Sequence, residues 1–447
     1  MNNPLSPPRA PVGAAVGAPD DGASRPGDPS RLIAFDVLCD VLERRRPLED
    51  ALDRADPPAA GTAPRDRAAA HRLAAAVLRR AGTLDAVVEP FLRRAPPPAV
   101  RIALLMGAAQ LLLLDTPQHA AVDTIVSLLR ARRLVPFAGL ANAVLRRVSA
   151  AGPAPLAELD PARLDVPAWL WSSWGPRARA IAEGLAAEAP LDVSPRDPAA
   201  PDPALLALAT PLPTGSLRFP AGTRPSELPG FDAGGFWVQD AAAALPVRLL
   251  APLPGERIAD LCAAPGGKTA QLCAAGASVI AVERDGRRLR RLRENMARLR
   301  FAPELVEADA ASWRPDAPLD AVLLDAPCSA TGTVRRHPDV LRTKRATDLP
   351  ALADIQGRLL AAAAAMLRPG GRLLYAVCSL QPEEGPVRAA AALAAGLGLH
   401  AAPFTAAELA TLPEALTPEG WLRTDPGLWP ERGGMDGFFA ARFIRAS

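Results

Sequence analysis

Residues Ile258–Lys268 read I-A-D-L-C-A-A-P-G-G-K, and the fold class follows from how that stretch must run. An apolar run ending in Pro-Gly-Gly, followed by helix-capable residues from Thr269 to Ala275, reads as a buried parallel strand, a tight turn and a helix N-terminus. Glycines at such a turn let a ligand approach the backbone, and the free N–H groups of the first helical turn favour an anionic or carboxylate group. The competing reading is a turn and nothing more. Ser278–Val282 then leads to Glu283, roughly 20 residues past the turn, where the second strand of a nucleotide-binding βαβ unit places an acid on ribose hydroxyls. Gly267-Lys268-Thr269 also suggests a phosphate loop, but Cys262 stands where that motif needs a glycine. Nucleotide hydrolysis is therefore the weaker alternative.

From Phe236 onward the pattern alternates between strand and helix. Glu304-Leu305-Val306 leads to Asp309, Leu319–Leu324 to Asp325 and Arg372–Val377 to Cys378, with helical stretches at 287–300 and 349–367 and a stop at Pro369-Gly370-Gly371. Repeated β-α alternation implies an α/β, Rossmann-like, doubly wound and mostly parallel sheet, with ligands at the carboxyl ends of its strands. Glu283, Asp309, Asp325, Cys328 and Cys378 all fall at or just past those ends, so one cleft can gather them. Asp436-Gly437 followed by Phe438–Ile444 reads as a turn into a final antiparallel strand.

The preceding chain is different in kind. Residues 1–29 are rich in Pro, Gly, Ala and Asp and poor in large apolar side chains, which predicts a disordered tail. Leu32, Phe35, Leu38, Val41 and Leu42 share one helical face, and helical patterns recur to Val148 without strand-like alternation, so residues 30–150 read as a separate all-α domain. Residues 151–235 carry recurrent prolines, turn signals and the cluster Trp169, Trp171 and Trp174, and are expected to form a linker and small α+β subdomain. The tryptophans, with Arg177 and Arg179 nearby, could stack on bases; a hydrophobic contact between domains is the commoner role. Residues 236–447 form the last domain.

At 447 residues and 49% hydrophobic content the chain has ample material for a core. Its longest apolar run, Ile102–Leu114 interrupted by Gln110, is shorter than the ~20 residues a bilayer crossing needs. With no signal-like N-terminus, the expectation is a cytoplasmic protein with no membrane partner. Five cysteines without secretory features argue against a disulfide framework, and no Cys-x-x-Cys pair or His cluster suggests a metal. Net charge is +3, which permits nucleic-acid binding without demanding it. Arginine counts carry little weight, because Lys268 and Lys344 are the only lysines and the bias looks like one of base composition.

Three ordered blocks make the reading specific: Asp260–Thr269 (DLCAAPGGKT), Asp325–Gly332 (DAPCSATG) with Arg335-Arg336-His337-Pro338, and Tyr375–Ser379 (YAVCS) followed by Pro382-Glu383-Glu384. They resemble the signature blocks of the S-adenosylmethionine-dependent RNA cytosine-5 methyltransferases. Arg65-Asp66-Arg67 and Pro117–Val122 (PQHAAV) look like a NusB-type helical domain, and that fusion is similar to the Sun (RsmB-type) enzymes of 16S ribosomal RNA. The resemblance spans roughly residues 30–445.

The resemblance implies a class I methyltransferase domain behind a NusB-like, RNA-binding one. It implies transfer of a methyl group to carbon 5 of a cytosine in 16S rRNA, by a monomer, through a covalent cysteine–cytosine intermediate. Cys378 would be the nucleophile and Cys328 would assist release. Cys262, Ala263, Ala264, Pro265, Gly266, Gly267 and Lys268 would wrap the methionine end of S-adenosylmethionine. Glu283 would take its ribose hydroxyls, Asp309 would face adenine, and Asp325 would lie beside the methyl and the target base. Asp260 would bond within the turn, and Arg335, Arg336 and His337 would meet phosphates near the target, unless they form a surface basic loop. Cys39 and Cys273 read as small buried hydrophobes. Val377 and Gly385 depart from the family's usual Thr and Asn, which removes no group that the chemistry requires. A transfer-RNA target and a catalytically idle assembly factor remain alternatives.

Overall fold

The computed structural model describes residues 28–57 and 60–447; the tail expected over residues 1–29 lies almost wholly outside the described residues. Seven helices open the described chain: α1 (Pro29–Arg44), α2 (Leu48–Ala55), α3 (Pro64–Arg79), α4 (Ala81–Val88), α5 (Pro98–Leu112), α6 (Gln118–Ala131) and α7 (Ala138–Ala151). Prolines punctuate them as sequence logic dictates, at N1 or N2 of α1, α3 and α5, where the missing N–H is one the helix could not use. Leu38, Val77, Leu104, Ile125 and Leu145, each from a different helix, are fully buried in one shared core.

Short helices α8 (Ala154–Ala157), α9 (Pro161–Asp165), α10 (Ala168–Trp174) and α11 (Ala178–Gly184) lead to a small antiparallel sheet. Its strands are β1 (Leu191–Pro195), β2 (Thr210–Pro211), β3 (Leu217–Phe219) and β4 (Phe236–Val238), in the order β2-β3-β1-β4, with the one-turn helix α12 (Pro203–Leu206) between β1 and β2. The large sheet follows α13 (Ala241–Leu250): β5 (Arg257–Leu261), α14 (Gly267–Ala274), β6 (Ser278–Glu283), α15 (Gly286–Leu299), β7 (Glu304–Glu307), β8 (Leu319–Asp325), α16 (Val340–Thr343), α17 (Leu349–Met366), β9 (Leu367–Val377), α18 (Pro386–Ala394), β10 (Leu399–Ala401), β11 (Leu422–Arg423) and β12 (Phe439–Arg445). The order is β10-β12-β9-β8-β5-β6-β7, with β11 beside β12. Pairings from β9 to β7 are parallel, and those of β12 with β9, β10 and β11 are antiparallel. This is the α/β, mostly parallel sheet behind an all-α domain that the alternation predicted.

The chain order reverses between β5 and β8, and the carboxyl ends of both strands open there on the same side. Such a switch point leaves a crevice. Two local differences from the sequence reading have simple causes. Phe236–Val238 pairs with β1 in the small sheet, so the large sheet starts only at Arg257. The Pro369-Gly370-Gly371 segment does not separate a helix from a strand. It lies inside β9, which begins directly after α17 at Leu367, and Gly370 (φ 73°) and an irregular register beside Leu319 absorb the turn.

The helical domain docks on the loop that follows Cys328. Leu48 N–H donates to Asp339 Oδ2 (3.1 Å), Arg45 to the Thr343 carbonyl (2.6 Å) and Arg79 to the Arg335 carbonyl (2.7 Å). Trp174 is buried with Leu170, Val334, Leu341 and Leu380, and Trp169 and Trp171 pack on that cluster. The tryptophans thus glue the linker helices to the same loop. Among the described residues no helix is long and apolar enough to cross a membrane.

Candidate active site

The turn after β5 is tightly determined. Cys262 adopts φ 62° and Gly266 φ 104°, and a Cβ on Gly266 would press on Met296 at 3.1 Å and Leu292 at 3.3 Å of α15, so glycine is required there. Asp260, fully buried, accepts the Thr269 hydroxyl at 2.6 Å and ties the strand end to α14. Its other oxygen has no partner, and burial pushes its carboxyl up to about 7.

Beyond the turn, a cleft of about 540 Å³ is lined by Cys262, Ala263, Ala264, Pro265, Gly267, Lys268, Asp325, Cys328 and Cys378 among others. Gly266 shapes the turn from behind. Glu283 and Asp309 line an adjoining recess that shares Cys262, Arg288 and Pro327 with the cleft. Asp309 spends one oxygen on the Ala311 N–H at 2.9 Å.

Inside the cleft Cys328 Sγ and Cys378 Sγ stand 3.5 Å apart. The hydrogen bond to Cys378 and then burial hold the Cys328 thiol well above the ordinary range. Lys268 Nζ meets Asp325 Oδ2 at 2.7 Å and lies 5.0 Å from the centre of the Phe438 ring. Burial works against the Lys268 ammonium, but Asp325 and the Cys378 sulfur outweigh it and the pKa is raised. Arg336 faces the cleft and pairs with the buried Asp436 at 2.8 Å; the Cys378 sulfur also lies within its field. Two cations thus lie near the Cys378 sulfur. His337 lines the same cleft, and burial pushes its imidazole down to about 4. It is neutral near pH 7. Arg335 does not line this cleft; it is 1% exposed, so it is not part of a surface basic loop. By contrast, burial pushes Cys39 and Cys273 up to about 12, and both pack against cores.

Sequence reasoning missed what holds the sulfurs together. Glu384, fully buried, accepts from the Ser329 N–H at 2.8 Å, from the Ser329 and Ser379 hydroxyls, and from Gln356 at 3.1 Å. Those serines directly follow Cys328 and Cys378. The quoted Pro-Glu-Glu block and the Ser after each cysteine were the available signal, but nothing in one sequence says that they meet. The loops also touch backbone to backbone: Gly332 N–H donates to the Cys378 carbonyl at 3.0 Å, and a Cβ on Gly332 would sit 2.0 Å from the Gly437 oxygen. Among the described residues no three His, Cys, Asp or Glu side chains cluster as a metal site would need.

The sequence model of the 16S rRNA methyltransferase RsmB/F family matches residues 247–444, and that of the NusB family matches residues 28–150. A ribosomal RNA small subunit methyltransferase B from Xanthomonas campestris is 37% identical over 408 residues, covering 85% of this chain and 91% of its own. Its namesake from Pseudomonas putida is 36% identical over 446 residues, covering 93% and 98%. The chain belongs to the RsmB/F methyltransferase family. Among solved structures, that of PH0851 covers 94% of this chain and 99% of its own at TM-score 0.72 and 23% identity. A methyltransferase homologue from Pyrococcus horikoshii covers 64% and 95% at TM-score 0.50 and 24% identity. Both show the fold.

Two predictions about this RsmB/F-type site follow from its buried carboxyls. Glu384→Ala leaves several buried donors unpaired and should cost on the order of 3 kcal/mol, read as a lower urea midpoint, with faster alkylation of Cys378 as its loop loosens; unchanged midpoint and alkylation would remove the clasp. Asp260 keeps a proton in the folded state that the unfolded chain releases near pH 4. Its contribution to stability is therefore full below about pH 4 and lost as pH rises through about 7. Asp260→Asn should flatten the fall in Tm between pH 5 and 8, and superimposable profiles for both proteins would contradict the assignment.

Proposed function

We propose that this chain transfers a methyl group from S-adenosylmethionine to carbon 5 of a cytosine in 16S rRNA, through a covalent bond between Cys378 and carbon 6. The observation that carries this reading is the pair of thiols 3.5 Å apart in a cleft that the glycine turn also lines. Family membership and the names of the relatives support the RNA substrate.

The residues fit the cofactor. Glu283 is 2% exposed, and its Oε2 has no hydrogen-bond partner; Arg288 Nη1 stands 3.3 Å away without proper bonding geometry. A buried carboxylate oxygen left open at the end of β6 suits a diol donor such as ribose. In our reading Glu283 takes the ribose hydroxyls, Asp309 faces the adenine, and residues Cys262–Lys268 enclose the methionine end. S-adenosylmethionine, when bound, supplies the electrophilic methyl group that carbon 5 accepts.

Carbon 5 of cytosine is a poor nucleophile until a thiolate adds to carbon 6. Cys378, beside the cations of Lys268 and Arg336, forms that sulfur–carbon bond, and the carbon 5–carbon 6 double bond opens into an enamine-like system. Cys328 is still a thiol at this point. Once carbon 5 carries the methyl group it loses its proton to solvent, the carbon 5–carbon 6 double bond re-forms and Cys378 departs as thiolate, with Cys328 assisting that release. Asp325, fixed by Lys268, lies beside the base. A cytosine inside a duplex could not reach this cleft, so the target is unpaired or flipped out, at a cost of a few kcal/mol. The NusB-like domain and residues 155–235 select the RNA segment that is presented.

The test is to map 5-methylcytosine in total RNA with and without the protein; a mark lost from transfer RNA instead of 16S rRNA would overturn the substrate assignment. Cys378→Ser should abolish turnover, whereas Cys328→Ser should attack normally and accumulate a protein–RNA adduct resolvable on a denaturing gel. Full activity in the Cys378 variant would refute the assigned roles.

A further inference from the structure

We propose that Arg423 is a positioning residue for the reaction: its guanidinium holds the two carbonyls that follow Cys378 and so aims that sulfur at the base. This rests on the function proposed above and adds a group which that mechanism does not use. Arg423 closes β11, a strand of two residues beside β12. It stands opposite Phe439 of β12, and Phe439 stands opposite Val377 of β9, so the register sets Arg423 level with the residue before Cys378. From there Nη1 donates to the Ser379 carbonyl at 2.8 Å and Nη2 donates to the Leu380 carbonyl.

Arg423 is itself seated by the two residues that follow it. Thr424 N–H donates to the Phe438 carbonyl at 2.9 Å, and its hydroxyl donates to the carbonyl of Asp436, the partner of Arg336, at 2.9 Å. Asp425 accepts from Arg177, between α10 and α11, at 2.8 and 3.0 Å. With Asp425 taken, Arg423 pairs with no carboxylate among the described residues. Burial pushes its guanidinium down to about 10, and the field of Asp425 offsets only part of that. It is still a cation near pH 7. A desolvated cation without a counter-ion is costly to keep, and strand pairing over two residues does not call for one.

What it supplies is direction. Glu384 takes the Ser379 hydroxyl and the Gly332 N–H takes the Cys378 carbonyl, which sets how near the two cysteine loops lie. Arg423 grips the next two carbonyls from a strand that carries neither cysteine. A planar fork on consecutive carbonyls fixes the peptide between them, through charge-assisted bonds roughly twice as strong as neutral ones. Addition to carbon 6 needs sulfur and carbon about 3–3.5 Å apart and aligned, and a misplacement of about 1 Å costs on the order of 100-fold in rate. Ser379 and Leu380 are buried. Without Arg423 their carbonyls would turn toward other donors, and Cys378 would turn with them.

The experiment compares full-length wild type, Arg423→Met and Arg423→Lys on a 16S rRNA transcript, at a temperature where melting curves show each protein folded. Arg423→Met should lower kcat about 100-fold, and Arg423→Lys, which keeps the charge and one of the two bonds, about tenfold. KM for the transcript and calorimetric affinity for S-adenosylmethionine should stay near the wild-type values. The same order should appear in the rate of adduct formation when each substitution is combined with Cys328→Ser, which isolates the attack. An arginine needed only for stability would lower Tm and leave kcat and adduct rate of the folded protein at wild type; that result overturns the proposal. Loss of S-adenosylmethionine affinity in parallel with kcat would mark a general collapse of the cleft and also overturn it. If Arg423→Met does not fold, Arg423→Lys decides alone, and wild-type kcat in that variant sinks the assignment. If the protein with Arg423 intact neither methylates the transcript nor, as Cys328→Ser, forms an adduct, the functional reading fails and the role of Arg423 with it.

Discussion

One carboxyl group holds the candidate centre together. Glu384 binds the residues that follow both cleft cysteines, and it sits two residues before α18, a separate element that packs outside the sheet. Strands β8 and β9 are neighbours, so their carboxyl ends bring the two loops within reach, but adjacency alone leaves them free to diverge. Buried hydrogen bonds in a low-dielectric setting specify one arrangement. Tyr375 strengthens the clasp by donating its hydroxyl to the Glu384 carbonyl at 2.5 Å. The short distance between the sulfurs is therefore built by the fold's interior, not left to the ligand.

The same logic extends outward through charge. Lys268 reaches from the glycine turn to Asp325 at the end of β8, and Arg336 reaches from the docking loop to Asp436 before β12. Each pair joins parts of the chain far apart in sequence, and each leaves a cation beside Cys378. Because the docking loop also carries Asp339, Thr343 and the Arg335 carbonyl, which anchor the helical domain, a shift of that domain would be felt at Arg336. The anchor of the helical domain and a cation of the cleft share one loop.

Much of this was legible in the sequence where local chemistry decides structure. The apolar run of β5, its Pro-Gly-Gly turn and the recurrent β-α alternation encode the sheet and its switch point. The prolines and the 3.6-residue spacing encode the helices. Cleft residues at strand ends were readable because a doubly wound sheet sends those ends to one side. What was not legible depends on side chains meeting across long separations. Nothing near Arg335 in the chain says that it is buried against the helical domain while its neighbour Arg336 faces the cleft. Pro369-Gly370-Gly371 looked like a helix stop because the local signal is strong, yet pairing with β8 draws it into a strand. Glu384 and Asp436 read as a motif letter and a turn residue, since their partners lie 55 and 100 positions away.

The central claim is that Cys378 bonds to the base while Cys328 stands by. It is tested most directly with a 16S rRNA transcript containing 5-fluorocytidine, whose carbon 5 holds fluorine and so cannot lose a proton after methylation. Incubated with S-adenosylmethionine and digested, the wild-type protein should yield a methylated fluorocytosine attached to the peptide bearing Cys378. Attachment at Cys328, or methylation without any covalent adduct, would contradict the account.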